Sequence, residues 1–159
     1  MGVQRFEIGQ GDRRQAPMAG GPSAEVLFGD EADERLGVVH VVVPPGAALP
    51  AHAHGASAAL LVSLSGRAVL VDAEQDGVEV GLEPGVMATI PVGHQVELRN
   101  EDEEEACLLV VFSPADFATQ VRQWPAADAV ASRCAARRRP RSAACARRGR
   151  SSSGFPPTW

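Results

Sequence analysis

The chain has 159 residues and no lysine, so all 15 of its basic residues are arginines. Residues 126–159 hold eight arginines and one acid, a net of +7, whereas residues 1–125 hold seven arginines and 19 acids, a net of −12. An acidic body is a poor general binder of the nucleic-acid backbone. About 125 residues are enough to bury the core of one domain.

Membrane and export segments are not indicated by the sequence. No apolar run approaches the roughly 18 residues that a transmembrane helix needs. The N-terminal residues MGVQRFEIGQGDRRQAP lack the apolar region of a secretory signal. The three cysteines are too dispersed for a zinc site, and Cys107 is predicted to be a small core residue. We therefore expect a cytoplasmic protein without a membrane partner.

Short apolar segments separated by turn residues run through the first 112 positions. Many short strands at a spacing of roughly 8–12 residues are typical of an antiparallel sandwich or barrel. The predicted strands are Val3–Ile8, Ala24–Phe28, Arg35–Val43, Ala58–Leu64, Arg67–Asp72, Val78–Leu82, Met87–Ile90, Gln95–Arg99 and Ala106–Phe112.

One helix is predicted after the last strand. Ser113 is placed to cap it, and Pro114 suits its first position. Phe117, Val121 and Trp124 then fall on one helical face. We expect this face to pack on the barrel and close an open end.

Beyond Pro125 the composition changes to mostly Ala, Arg, Ser and Pro. Residues 126–159 contain almost no large apolar side chains, so they bury too little surface to offset their ordering entropy and are predicted to be disordered. One interpretation is an arginine-rich arm that contacts nucleic acid or an acidic partner. The other is a solvated tail without a role.

Two blocks of the sequence, at residues 46–66 and 85–100, carry regularly spaced glycine and histidine residues. They resemble the two motifs of the cupin superfamily. The first is a glycine, five residues, His-x-His, three or four residues, a glutamate, six residues and a glycine. The second is a glycine, five residues, Pro-x-Gly, two residues, a histidine, three residues and an asparagine. The matching residues are Gly46, His52, His54, Gly66, Gly85, Pro91, Gly93 and Asn100.

The resemblance implies a small all-β jelly-roll barrel, usually metal-binding and often dimeric. It divides the chain into an N-terminal segment with flanking strands (1–34), the barrel (35–113), a closing helix (114–125) and the tail (126–159). We expect a homodimer, in which Val3–Ile8 adds a strand to the sheet edge of a partner.

Two of the four metal ligands that the resemblance implies are replaced in this chain. The glutamate position holds Ala59, or Ala58 with the shorter spacing, and the third histidine position holds Val96. Neither alanine nor valine can coordinate a metal ion.

Three histidines remain as predicted metal ligands: His52, His54 and His94. His52 and His54 are two residues apart, so on a strand both would face the same side and could converge on one divalent ion, Fe, Zn, Ni, Mn or Cu. The alternative is a relict pair hydrogen-bonded to water. His94 has the parity of inward-facing Val96 and would serve as a substitute third ligand or a substrate-facing acid or base. The alternative for His94 is a place at the barrel rim.

Two other polar features have simpler interpretations. His40, alone in a run of valines, is expected to be a satisfied core residue. The five acids of residues 101–105 are expected to form a solvated hairpin loop.

Two functions follow from the resemblance and its departures. One is a small metal-dependent cupin enzyme that acts on a small organic molecule, for example as an oxygenase, isomerase or polyketide-type cyclase. The other is a metal-free binding or regulatory module, favoured by an interior that the loss of Glu and His makes more apolar. Contact with nucleic acid is expected only through the arginine-rich tail.

Overall fold

The computed structural model describes residues 3–29 and 35–127. The predicted disordered tail therefore lies outside the described residues, apart from its first two positions. Within these ranges, ten strands are followed by one helix. Their bounds are β1 Arg13–Gln15, β2 Ser23–Phe28, β3 Gly37–Val43, β4 Ala48–His52, β5 Ala58–Ser65, β6 Ala68–Asp72, β7 Val78–Leu82, β8 Met87–Ile90, β9 Val96–Arg99, β10 Ala106–Ser113 and α1 Asp116–Arg122.

The strands form two antiparallel sheets. A six-stranded sheet has the order β1-β2-β3-β10-β5-β8, and a four-stranded sheet has the order β4-β9-β6-β7. The predicted all-β class with a short C-terminal helix is confirmed. Within the described ranges, no helix is long and apolar enough to cross a membrane.

Alternating residues of the two sheets make the core. On β10, Leu108, Val110 and Phe112 are buried in one apolar cluster with Leu70 and Leu98 of the smaller sheet. Successive side chains of a strand point to opposite faces, so every second residue enters the space between the sheets. The inward direction predicted for Val96 and Leu98 is confirmed, and Cys107 is buried as expected.

The N-terminal end of the predicted strand list needs correction. Val3–Ile8 is not a strand, although Phe6 packs edge-on against Phe28 at a centroid distance of 5.4 Å. The first strand is β1, a three-residue segment too polar for its pattern to show. It pairs with β2 and, by an isolated bridge from Arg14 to Ala126, with the chain after α1. The homodimer stays a prediction without the strand on which we expected it to be built.

Helix α1 begins later than predicted and is not capped by Ser113. Its N-cap residue is Ala115, which has no side-chain cap. The hydroxyl of Ser57 instead accepts the N–H of Phe117 at 3.3 Å and donates to the carbonyl of Pro114 at 2.8 Å. The backbone N–H groups at the start of any helix have no partner within the helix. A side chain from before β5 accepts one of them here.

Two motif residues owe their identity to backbone geometry and hydrogen bonding. Gly66 has φ +67°, and a Cβ at this position would collide with the carbonyl oxygen of Glu105. Asn100 is buried and donates to the carbonyls of Val43 at 2.9 Å and Glu104 at 2.7 Å. Its own oxygen accepts the N–H of Asp102 at 3.0 Å. Asn100 thus fixes the exposed acidic loop, residues 101–105, at the end of β3.

Candidate ligand-binding site

A cavity of about 410 Å³ lies between the two sheets. Its walls come from both sheets, from the turn between β1 and β2, and from α1. Almost all of the lining side chains are apolar, and the described lining residues include no Arg, Lys, Asp or Glu. Among the described lining residues, the only side-chain nitrogens belong to His52, His54 and Trp124. The arrangement fits a small organic molecule that is mostly apolar.

The helix and an N-terminal turn close one side of the cavity. Phe117 of α1 and Trp124, two residues beyond the end of the helix, line it, while Val121 is buried in the core. Met18, in the turn between β1 and β2, lines it too. Sequence reasoning did not find this turn, because a loop that closes a cavity has no periodic pattern.

His52 is the last residue of β4 and has a defined hydrogen bond. Its Nδ1 lies 2.9 Å from the carbonyl oxygen of Pro50. A carbonyl can only accept, so Nδ1 of a neutral His52 carries the proton. The lone pair then resides on Nε2.

His54 lies just beyond β4 and is 7% exposed. Its ring packs against Phe117, at a centroid distance of 4.8 Å, and against Phe112, at 5.4 Å. Burial, with the neighbouring charge of His52, lowers the pKa of His54 to about 4. His54 is therefore neutral near pH 7. Its Nδ1 is buried and has no hydrogen-bond partner within the described chain.

The structure brings His52 and His54 together, with ring centroids 5.0 Å apart and planes nearly perpendicular. It does not bring His94 to them. Strand β9 begins at Val96, so His94 lies in the preceding turn and lacks the inward direction expected from strand parity. Its role as a third metal ligand stays a prediction.

His94 instead joins two turns of the smaller sheet. Its Nε2 lies 2.8 Å from Asp72 Oδ1, and its Nδ1 lies 3.2 Å from Glu74 Oε2. Desolvation acts to raise the pKa of Asp72, but hydrogen bonds from His94 and from the backbone of Glu74 and Gln75 outweigh it, and the pKa is lowered. We call Asp72, Glu74 and His94 the turn clasp.

The residues at the cavity do not provide a complete metal site. Ala59 and Val96 are buried at the two replaced ligand positions. Among residues 3–29 and 35–127, no group of three or more His, Cys, Asp or Glu side chains is placed to hold a metal ion. A histidine ligand also normally donates its second ring N–H to an acceptor. His52 has such an acceptor in Pro50, but the buried Nδ1 of His54 has none within the described residues.

A second buried polar group lies on the other face of the larger sheet, and sequence reasoning missed its partners. His40, expected to be a satisfied core residue, is 1% exposed and pairs across the strands with Glu25, also 1% exposed. Glu25 accepts the backbone N–H groups of Gly9, at 2.8 Å, and Gly11. Arg13 lies 3.8 Å from Glu25 and 3.5 Å from His40 Nδ1. The signal in the sequence was the single carboxylate within an apolar strand.

Burial governs the charge of His40. Burial and the nearby Arg13 lower the pKa of His40 to about 4, although Glu25 acts in the opposite direction. The imidazole is therefore neutral near pH 7, and its Nδ1 accepts from Arg13.

Comparison with known proteins agrees with this architecture. Residues 39–112 match the family model described as Cupin domain. The protein TT1209 from Thermus thermophilus is 30% identical, over 61% of this chain and 87% of that chain, with a TM-score of 0.51. A sugar phosphate isomerase from a cupin superfamily, from Silicibacter pomeroyi, is 26% identical, over 69% and 75% of the chains, with a TM-score of 0.56. The polyketide cyclase RemF from Streptomyces resistomycificus is 19% identical, over 70% and 79%, with a TM-score of 0.60. No curated protein matches the chain.

Proposed function

This chain belongs to the cupin superfamily, and we propose that it binds a mostly apolar small organic molecule in the barrel cavity without a resident metal ion. The observation that carries the proposal is the lining of the 410 Å³ cavity, in which the described side chains are apolar except for His52, His54 and the Trp124 indole. Burial of apolar ligand surface would supply most of the binding free energy.

The activities named for two similar proteins help to choose a ligand class. A sugar phosphate carries a charged group that needs a cationic or strongly hydrogen-bonding site. The described cavity lining has neither Arg nor Lys, which argues against transferring that substrate class to this chain. An apolar substrate, compatible with the polyketide cyclase neighbour, suits the lining better.

Binding of two-ring aromatic probes to the protein tests the proposal. We expect 2-methylnaphthalene and 2-naphthol to raise the melting temperature and to bind saturably in a fluorescence titration. Val41→Phe should weaken binding, because Val41 lines the cavity and a larger ring there takes up its volume. Val38→Phe is the matched control, since Val38 lies on the same strand, is equally half-buried and does not line the cavity.

The metal-dependent enzyme is the competing outcome, because two imidazoles of a cupin motif are retained side by side. Elemental analysis of protein purified without chelator separates the two. Stoichiometric metal that is lost in His52→Ala, together with a melting temperature that falls with chelator, would reject the metal-free proposal. Metal-free protein whose probe affinity is unaffected by chelator is the expected result.

A further inference from the structure

We propose that His52 and His54 form a complementary pair, in which Nε2 of His52 accepts a hydrogen bond and Nε2 of His54 donates one. The cavity would then select an apolar molecule that carries a hydroxyl and a carbonyl close together. The assignment of protons rests on the structure alone, whereas the ligand class rests on the proposed function.

The proton position on His52 follows from its hydrogen bond. Nδ1 lies 2.9 Å from the carbonyl oxygen of Pro50, which offers only lone pairs. A neutral imidazole has one proton, so Nε2 has the free lone pair. His52 lines the cavity, and this lone pair can accept from a ligand hydroxyl.

The proton position on His54 follows from the absence of any such partner. Its Nδ1 is buried and meets no hydrogen-bonding group in the described part of the chain. A buried N–H without an acceptor is rare in proteins, and an unused acceptor is better tolerated. The neutral ring therefore places its proton on Nε2. Because Nδ1 is closed off, Nε2 is the nitrogen through which His54 can reach the cavity that it lines.

The same assignment explains why the pair is a poor metal half-site. Binding a cation through Nε2 of both rings would move the proton of His54 to Nδ1, where the described structure offers no acceptor. That arrangement leaves a buried donor unsatisfied, which costs about 1–3 kcal/mol. A ligand with one donor and one acceptor satisfies both rings as they stand.

The spacing and surroundings of the pair define the ligand further. The ring centroids are 5.0 Å apart, so we expect the hydroxyl and the carbonyl to lie close together on the ligand skeleton. The rest of the molecule meets apolar side chains such as Leu61, Leu70 and Ile90. We therefore expect an apolar hydroxy-carbonyl compound rather than a carboxylate or a phosphate.

Long-range ¹H–¹⁵N correlation spectra of the ligand-free protein at pH 7 test the proton positions. The two nitrogens of a neutral ring differ widely in ¹⁵N shift, so each tautomer is identified directly, with His52→Gln and His54→Gln spectra for assignment. We expect the proton on Nδ1 in His52 and on Nε2 in His54. A proton on Nδ1 of His54 would overturn the proposal, and this holds whether or not any probe binds.

Matched naphthalene probes test the ligand class. We compare the affinities of three probes. The first, 2-acetylnaphthalene, can only accept a hydrogen bond, 2-naphthol can also donate one, and 2-methylnaphthalene can do neither. One net hydrogen bond corresponds to a roughly two- to tenfold gain in affinity. His54→Phe should abolish the gain in affinity of 2-acetylnaphthalene over 2-methylnaphthalene. His52→Phe should abolish the gain of 2-naphthol but leave that of 2-acetylnaphthalene unchanged. His54→Leu replaces the first variant if the larger ring disturbs packing with Phe112 and Phe117.

The outcomes separate this inference from the proposed function. Failure of all three probes to bind would overturn the proposed function, while the spectra still decide the proton positions. If the probes bind saturably but 2-acetylnaphthalene and 2-naphthol lose affinity equally in His52→Phe and in His54→Phe, the assignment of one acceptor and one donor would be overturned. Val38→Phe serves again as the control that should leave all three affinities unchanged.

Discussion

The Ser57 hydroxyl accepts the backbone N–H of Phe117 at 3.3 Å, although the two residues are 60 positions apart. Ser57 is 1% exposed and also donates to the carbonyl of Pro114. Since Phe117 lines the cavity, this one side chain connects the start of β5 to the wall that the helix contributes.

Ser57→Ala should therefore destabilise the protein and loosen the cavity wall. The substitution leaves a partly buried N–H and a partly buried carbonyl without their partner, which costs about 1–3 kcal/mol in the free energy of unfolding. Chemical denaturation measures this loss, and hydrogen exchange at residues 116–122 should increase more than exchange in β3. Ser65→Ala, at a half-buried position of β5, is the control. Unchanged exchange in the helix would show that Ser57 does not hold it.

Much of the barrel could be predicted from the sequence because its strands carry strong local patterns. Val78–Leu82 and Met87–Ile90 were predicted with their observed bounds, since short apolar segments between tight turns are recognisable without tertiary context. Phe117 and Trp124 both line the cavity, as expected of residues that close the barrel, but the helix ends at Arg122, so Trp124 is not on its face. Strand β4 was missed, because Ala48–His52 contains a proline and is largely exposed.

The candidate site was predictable only in part, for a physical reason. The spacing of His52 and His54 places them together, but proton positions depend on Pro50 and on the aromatic rings of Phe112 and Phe117. Phe112 and Phe117 lie far from His54 in the sequence, and the Pro50 contact depends on the backbone conformation at the end of β4, so neither contact leaves a signature in the sequence. The expected direction of His94 depended on a regular strand, and the chain turns before β9 begins.

Asn100→Asp should strongly destabilise the protein. The Asn100 amide donates to two carbonyl oxygens, and an aspartate would present a buried carboxylate to those same acceptors, beside the acidic loop. We expect a loss of about 3 kcal/mol or more. Urea denaturation measures it. Gln75→Glu makes the same chemical change in an exposed turn and should shift stability by no more than about 0.5 kcal/mol. Equal effects of the two substitutions would contradict the role assigned to Asn100.

The turn clasp should show electrostatic coupling that salt weakens. His94 contacts Asp72 with one ring nitrogen and Glu74 with the other, so the contacts are ion pairs whenever the imidazole holds a proton on both nitrogens. A double-mutant cycle of His94→Gln and Asp72→Asn should give a favourable coupling at low ionic strength that falls in concentrated NaCl. The control cycle pairs His94 with Glu83, whose partner is Arg67. Coupling that is independent of salt would contradict an ionic clasp.

Acid should destabilise the protein through His40. The pKa of His40 is about 4 in the folded chain against an ordinary value of 6.5, so below pH 6.5 the unfolded chain binds a proton that the folded chain does not. The free energy of unfolding must then fall as the pH falls from 6.5 to about 4 and level off below, by about 3 kcal/mol from this group. Arg13 and Glu25 are the charged groups that face the ring.

His40→Leu removes this titration and leaves Arg13 and Glu25 in place. Its free energy of unfolding, measured by urea denaturation at a series of pH values, should depend less steeply on pH between 6.5 and 4 than that of the wild type. Some slope must remain, because burial also lowers the pKa of His54 to about 4. The variant should lose stability at neutral pH, since Arg13 then has no imidazole to donate to. Two parallel curves would mean that His40 is already protonated in the folded protein, with Glu25 rather than burial controlling its charge.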